Sequence, residues 1–123
     1  MQYKNVTVGE YCVISNDVKI GKGTVIGHHV VIAGGTVIGE NVRIDSFSDI
    51  GKNPMKAANS AVTADCELEP AVIGNGSVIG SHTVIYRGAD IGESVLVADL
   101  ATVRENVKIG YKTIVGQIGR AHV

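Results

Sequence analysis

A six-residue period runs through the sequence and constrains the fold more than any other feature. Counting in sixes from Ile73 in both directions, with one interruption, every position is Val or Ile. Twelve of the fourteen isoleucines lie on this ladder of sixteen rungs. The rungs are Val8, Ile14, Ile20, Ile26, Ile32, Ile38, Ile44, Ile50, Ile73, Ile79, Ile85, Ile91, Val97, Val103, Ile109 and Val115. Self-similarity at a short fixed period is the signature of a solenoid, in which each repeat packs only on its neighbours.

The residues around each rung predict a short strand and a tight corner. The position two before the rung is always small, for example Cys12, Thr24 and Ser48, and residues i and i+2 of a strand face the same side. The rung and the small residue therefore point inward together. Gly follows the rung in ten of the sixteen repeats. The corner slots include the residues that best tolerate positive φ, namely Gly23, Gly35, Asn41, Gly76, Gly88 and Asn106.

Three such strands close a triangle of eighteen residues, so sixteen repeats predict about five coils. Successive coils would stack at the strand spacing of roughly 4.8 Å, with their strands pairing in parallel. Large aromatic side chains are scarce, with one Phe and no Trp, which suits a narrow interior filled by Val, Ile and Ala. The predicted fold class is all-β, a parallel β-helix.

Charge and hydropathy exclude several classes of partner. The net charge of −1 comes from 11 basic and 12 acidic residues without blocks, so neither nucleic acid nor an acidic membrane surface is predicted. No run approaches 18 apolar residues and the N-terminus lacks a signal-peptide pattern, so we expect a cytoplasmic protein. Cys12 lies in an inward slot and Cys66 lies in the interruption, which favours two reduced thiols.

The ladder is irregular in two places. Between Lys52 and Pro70 no rung pattern exists, which predicts an external loop over 52–70; it is either a tolerated insertion or a functional flap reaching a neighbouring subunit or the substrate. The register breaks again at Gln117, and Ile118 to Val123 resembles a translated sequencing-adapter read-through. We predict a β-helix over 1–116 from the N-terminal part of a longer enzyme, a non-native tail over 117–123, and no function for His122.

The [Ile/Val]-Gly-x-x-x-x repeat over residues 6 to 116 resembles the hexapeptide-repeat, left-handed β-helix superfamily. This resemblance implies a left-handed winding and an acyltransferase that moves an acyl group from coenzyme A, or sometimes acyl carrier protein, to an amine or hydroxyl. It also implies acetyl-CoA as donor and a homotrimer. It does not assign any residue to the acyl donor.

One segment resembles a narrower branch of that superfamily. Residues 84–89 and 91–98 are similar to a stretch of nucleotide-sugar N-acetyltransferases. His82 falls where that branch keeps a polar catalytic residue, often Asn, so the resemblance implies that His82 is the general base. Tyr86 occupies a slot normally held by Gly and Arg87 follows it, which makes both candidate substrate-binding residues. The alternatives are an exposed corner histidine and a rim pair on the outer wall.

Other candidate sites are weaker. His28 and His29 are adjacent, whereas the zinc ligands of γ-class carbonic anhydrases, which share the fold, are separated by several coils, so we expect solvated corner residues and no metal site. Cys66 has no evident activating group in the sequence. The Gly-x-Gly strings, such as Gly74 to Gly76, follow from the repeat and lack the strand-to-helix context of phosphate-binding loops.

Two functions from different classes remain. The first is an acetyl-CoA-dependent N- or O-acetyltransferase acting on a sugar or nucleotide sugar. The alternative is a non-catalytic β-helix, either a structural solenoid or the trimerising or regulatory domain of a sugar nucleotidyltransferase. The corner histidine and the interruption favour the enzyme. We also expect no upstream nucleotidyl domain, because the ladder begins by residue 8, directly after Met1.

Overall fold

The structure is a computed structural model that describes residues 3–55 and 67–116 and the strand at 121–122. All of the regular elements are strands, and the described residues contain no helix. Before the interruption lie β1 (Thr7–Val8), β2 (Val13–Ile14), β3 (Lys19–Ile20), β4 (Val25–Ile26), β5 (Val31–Ile32), β6 (Val37–Ile38), β7 (Arg43–Ile44) and β8 (Asp49–Lys52). After it lie β9 (Val72–Ile73), β10 (Val78–Ile79), β11 (Val84–Tyr86), β12 (Asp90–Ile91), β13 (Leu96–Val97), β14 (Thr102–Val103), β15 (Lys108–Ile109), β16 (Ile114–Val115) and β17 (Ala121–His122).

Strands three apart in the chain pair in parallel, which produces three walls. Wall A contains β1, β4, β7, β10, β13 and β16; wall B contains β2, β5, β8, β11 and β14; wall C contains β3, β6, β9, β12 and β15. Rung pairs with rung, so that Ile26 lies beside Ile44 and Ile44 beside Ile79. The molecule is a parallel β-solenoid of about five coils, which confirms the predicted fold class.

The interior is the ladder itself. Rungs from the second to the fifth coil are at most 8% exposed, and they are Ile26, Ile32, Ile38, Ile44, Ile50, Ile73, Ile79, Ile85, Ile91, Val97, Val103 and Ile109. Val8, Ile14, Ile20 and Val115 pack against the same core but are only half-buried, because each has a neighbouring rung on one side. β-Branched side chains suit such a pleated stack, since they pack well on identical neighbours.

Polar residues in the inward small slots are hydrogen-bonded in a repeated way. The Ser48 hydroxyl donates to the Gly80 carbonyl at 2.7 Å and accepts from the Thr83 N–H at 3.2 Å. Thr24 bridges Gly39 and Val42 in the same manner, at 2.9 and 3.2 Å. A buried hydroxyl costs free energy unless it is paired, so these bonds explain why Ser and Thr are tolerated inside.

The interruption is an insertion at one corner. Ile44 pairs with Ile79, 35 residues on, whereas Ile26 pairs with Ile44, 18 residues on, so the excursion adds 17 residues between walls B and C. Lys52 still belongs to β8 and pairs with Tyr86 across a register shift, so the chain leaves the wall one residue later than predicted. Residues 56–66, including Cys66, lie outside the described residues, and the flap stays a prediction.

The described part of the ladder ends at the last coil. Val115 is the last rung, and β17 pairs with β16 in an antiparallel sense, unlike the coil-to-coil pairs. Residues 117–120 lie outside the described residues. The proposed non-native tail, and with it the role of His122, therefore remains a prediction.

At the turn between walls A and B, side chains cap the backbone of the coil below. His28 Nδ1 accepts a hydrogen bond from the Glu10 N–H at 2.8 Å, and Ser46 Oγ accepts one from the His28 N–H at 3.0 Å. Asn75 Oδ1 does the same for the Glu40 N–H at another turn, at 2.8 Å. His28 therefore has a structural role in this corner.

We predict that Ile73→Ala lowers the free energy of unfolding by about 2–5 kcal/mol, because Ile73 is 1% exposed and the shortened side chain leaves a cavity between two coils. The matched control is Val72→Ala on the same strand, where the side chain points outward and is 38% exposed. This control should cost less than about 1 kcal/mol. Urea denaturation of both variants gives the comparison, and equal losses would contradict the inward assignment of the rungs.

We predict that His28→Ala lowers the free energy of unfolding by about 0.5–1.5 kcal/mol, since the Glu10 N–H loses its acceptor. His28→Asn should restore most of the loss, because Asn75 already performs this task elsewhere. The same urea titration measures both. A His28→Asn variant as unstable as His28→Ala would show that the hydrogen bond is not what matters at this position.

Candidate functional site

The three corners of the solenoid differ in the residues that they place in the left-handed backbone region. The C/A corner uses Asn5, Gly23, Asn41, Gly76, Ser94 and Lys112, and the B/C corner uses Gly35, Gly88 and Asn106. The A/B corner uses Tyr11, His29, Phe47, His82 and Leu100, with φ between 55° and 66°. Side chains with a Cβ pay about 1–2 kcal/mol for this conformation. The A/B corner alone carries large side chains there without any Gly or Asn.

The side chains of the A/B corner stack on one another. Ring centroids are 5.1 Å apart for Tyr11 and His29, 4.9 Å for His29 and Phe47, and 5.0 Å for Phe47 and His82. We call these four rings the corner stack; Leu100 occupies the next coil. The stack is exposed to solvent, with Tyr11 75% and Phe47 53% exposed. Stacking offsets part of the backbone cost, since offset aromatic pairs contribute about 0.5–1.5 kcal/mol.

His82 ends the stack on an exposed turn. Its backbone N–H donates to the Ser46 carbonyl at 3.2 Å, which fixes the residue to the coil below. Within the described residues no group hydrogen-bonds to its imidazole, in contrast to His28. Because one ring face lies against Phe47, the edge that bears the nitrogens remains accessible. The imidazole is therefore held in position and exposed to solvent.

Tyr86 and Arg87 have different surroundings. The Tyr86 side chain is 5% exposed, with the Arg104 guanidinium 4.1 Å and the Lys52 ammonium 6.0 Å from its ring centroid. Arg87 donates from Nε to the Leu68 carbonyl at 3.1 Å and from Nη1 to the Gly34 carbonyl at 2.8 Å. Tyr86 is thus covered by cationic side chains, and Arg87 ties the returning end of the external loop to the wall.

Arg104 is itself held by a neighbouring carboxylate. Its Nε lies 2.9 Å from Glu105 Oε1. The pKa of the Glu105 carboxyl is lowered, mainly because the carboxylate accepts a hydrogen bond from the backbone N–H of Glu105 itself. The contact with Arg104 lowers this pKa further. The lowered pKa favours the ionised carboxylate, which pairs with the guanidinium that lies over the Tyr86 ring.

One chain does not bring the three predicted site residues together. His82 lies at the A/B corner, before β11, whereas Tyr86 and Arg87 lie at the B/C corner where β11 ends. Four residues of extended chain span roughly 13 Å. Within a single chain, the roles predicted for His82 and for the Tyr86–Arg87 pair belong to opposite edges of wall B.

A groove that sequence reasoning missed lies on wall A, beside the A/B corner. It has a volume of about 770 Å³ and includes Val25, Gly27, Arg43, Asp45, Ser46 and Ser81 in its lining. Arg43 Nε donates to Asp45 Oδ1 at 2.8 Å across the groove wall. His82 does not line the groove, but Ser81, which does, directly precedes it in the chain. The sequence feature that could have revealed this groove is Asp45, which occupies the position after the rung, where ten repeats have Gly.

Other features of the described chain are simpler. A second cavity of about 380 Å³ lies at the last coil, where the rungs Val103, Ile109 and Val115 line it together with exposed residues such as Lys108. Across residues 3–55, 67–116 and 121–122, His, Cys, Asp and Glu do not gather in metal-binding groups of three. The same residues include no helix long and apolar enough to cross a membrane.

Known proteins provide a comparison. A family model described as the GMPPB C-terminal domain matches residues 8–123. No curated protein sequence matches the chain. Among solved structures, the UDP-N-acetylglucosamine acyltransferase of Francisella novicida superposes with a TM-score of 0.73 at 24% identity, over 89% of this chain and 43% of that one. A hexapeptide-repeat-containing acetyltransferase of Vibrio cholerae gives 0.69 at 23% identity, over 95% and 72%. Soybean serine acetyltransferase gives 0.67 at 25% identity, over 86% and 40%.

These likenesses concern the fold. The chain spans less than half the length of the first and third of those structures. A solenoid wound in the opposite hand could not superpose over most of the chain, so this molecule winds in the same hand as those three structures. The family model covers nearly all of the sequence. The chain therefore belongs to the GMPPB C-terminal domain family and has the β-helix fold of the hexapeptide-repeat acyltransferase superfamily.

Proposed function

We propose that this chain is part of an acetyltransferase that moves an acetyl group from acetyl-CoA to an amine or hydroxyl of a sugar or nucleotide sugar. The observation that carries the proposal is the exposed imidazole of His82 in a left-handed turn. An exposed imidazole that the backbone holds in one position is the kind of group that acts as a general base. Acyltransferases among the proteins that share the fold support the same class of reaction.

His82 would act as the general base. Its imidazole would remove a proton from the acceptor amine or hydroxyl while the acceptor nitrogen or oxygen attacks the thioester carbonyl carbon. The new C–N or C–O bond forms, the C–S bond breaks, and the imidazolium returns the proton to the departing thiolate. Acetyl-CoA enters as a co-substrate, and no residue of this chain is assigned to it.

A homotrimer would reconcile the separated site residues. His82 and the Tyr86–Arg87 pair lie at opposite edges of wall B, so parallel packing of prisms could bring the B/C corner of one subunit to the A/B corner of the next. The external loop leaves from that B/C corner, tied there by Arg87. Tyr86 and Arg87 then contribute to the acceptor site from the neighbouring subunit, in a cytoplasmic enzyme.

The second candidate is a non-catalytic β-helix of a sugar nucleotidyltransferase. The match to the GMPPB C-terminal domain over residues 8–123 favours it. In that case the corner stack would serve contacts between subunits or domains, and His82 would have no part in chemistry. The two candidates differ in whether the complete protein transfers acetyl groups or nucleotidyl groups.

We predict that His82→Ala in the complete protein lowers kcat for acetyl transfer from acetyl-CoA to an amino sugar by about 10²- to 10⁴-fold, because the acceptor loses its base. Release of the CoA thiol, followed with a thiol reagent, measures the rate. The matched control is His29→Ala, which removes another imidazole from the same stack and the same left-handed conformation.

The His29→Ala control separates the loss of a catalytic base from the loss of stability at the A/B corner. His29→Ala should leave kcat within a factor of about three, although both variants lose a stacked ring. Equal rates for wild type and His82→Ala would remove His82 from the mechanism. Nucleotidyl transfer without any acetyl transfer by the wild-type protein would favour the second candidate.

A further inference from the structure

Two residues of β7 and its following turn depart from the repeat on wall A. The outward positions of this wall are Thr7, Val25, Arg43, Val78, Leu96 and Ile114, and the positions after its rungs are Gly9, Gly27, Asp45, Gly80, Ala98 and Gly116. Arg43 and Asp45 are the only charged residues in these two series. They occur on the same coil and are paired with each other at 2.8 Å.

Stability does not account for this pair. The Arg43 side chain is 65% exposed and that of Asp45 is 31% exposed. Exposed ion pairs contribute about 0–1 kcal/mol, and the coils above and below are built with Val and Gly at the same positions. The fold therefore has no need of a charged pair at this height of the wall.

The pair leaves donors and acceptors directed at the groove. Within the described residues Arg43 uses only Nε, so the N–H groups of both Nη atoms remain available, as does Asp45 Oδ2. Ser46 Oγ already accepts from the His28 N–H, which leaves its own O–H as a donor. The groove rim thus alternates hydrogen-bond donors with acceptors.

The floor of the groove is small and apolar. Val25 is 47% exposed there. A Cβ on Gly27 would lie 2.7 Å from Ser46 Oγ, so the floor beside it must stay without a side chain. A bare apolar floor with a mixed polar rim matches a ring that has a C–H face and a rim of hydroxyl groups. The Asp45 carboxylate disfavours a plain anion, and the paired backbone of the wall offers no free edge to a peptide strand.

We propose that the wall A groove binds a pyranose sugar, with Val25 and Gly27 under the ring and the Arg43–Asp45 pair and Ser46 on its hydroxyls. Ser81, in the lining and next to His82 in the chain, marks the side of the groove from which one substituent of the sugar would reach towards His82. The inference rests on the proposed function only for this last point, because sugar binding on wall A requires no catalysis.

The test is an NMR titration of the ¹⁵N-labelled full chain with D-glucose and with N-acetyl-D-glucosamine. Saturable shifts are expected at the amides of Gly27, Arg43, Asp45 and Ser46. Arg43→Met and Asp45→Asn should each weaken the apparent affinity at least tenfold. Lys19→Met removes a charge from an outward strand position on wall C, and it should leave the titration unchanged.

Several outcomes would overturn the proposal. These are no saturable shift with either sugar, shifts centred away from wall A, or shifts that Arg43→Met does not weaken. A parallel titration with inorganic phosphate checks the ligand class, and saturable binding of phosphate without binding of sugar would also overturn it. The acetyl-transfer assay is separate: sugar binding without turnover would refute the proposed function and leave the groove assignment intact.

Discussion

The in-register stacking of β-branched rungs between coils is the constraint on which this structure depends. Each wall strand is two to four residues long and cannot persist alone, so every coil takes its hydrogen bonds and its packing from the coils beside it. Ile26, Ile44 and Ile79 illustrate the arrangement, since each is at most 1% exposed and pairs with the next along wall A. An insertion is tolerated only where it preserves that register, which is why the 17 extra residues leave from a corner.

Much of the fold could be predicted because the repeat places a Val or Ile at the inward position sixteen times. The rungs, most of the small inward slots and the corner glycines Gly23, Gly35, Gly76 and Gly88 lie where the period predicts, whereas the slot of Val107, in the last coil, is 38% exposed. The hand of the coil could not be predicted from the period, which is the same for both hands. Nor could the left-handed backbone of Tyr11, Phe47 and Leu100, because that conformation is imposed by the stacked corner and not by the preferences of these residues.

The candidate site was harder to predict, because it depends on distances across coils. His82 stands at an exposed corner, whereas Tyr86 is covered by Arg104 and Lys52, and Arg87 is engaged by two carbonyl groups of its own chain. The wall A groove joins Val25 to Asp45, residues 20 apart in sequence that the 18-residue coil brings together. Its sequence signal was a departure from the repeat, and such departures mark function when the fold gains nothing from them.

The most direct test of this account restores the repeat on wall A. The double variant Arg43→Val/Asp45→Gly copies the residues found one coil below and one coil above, Val25 with Gly27 and Val78 with Gly80. If the charged pair serves binding and not folding, the free energy of unfolding in urea should change by less than about 1 kcal/mol. A loss of about 2 kcal/mol or more would show that the pair is structural. It would contradict the claim that departures from the six-residue repeat mark the functional surface.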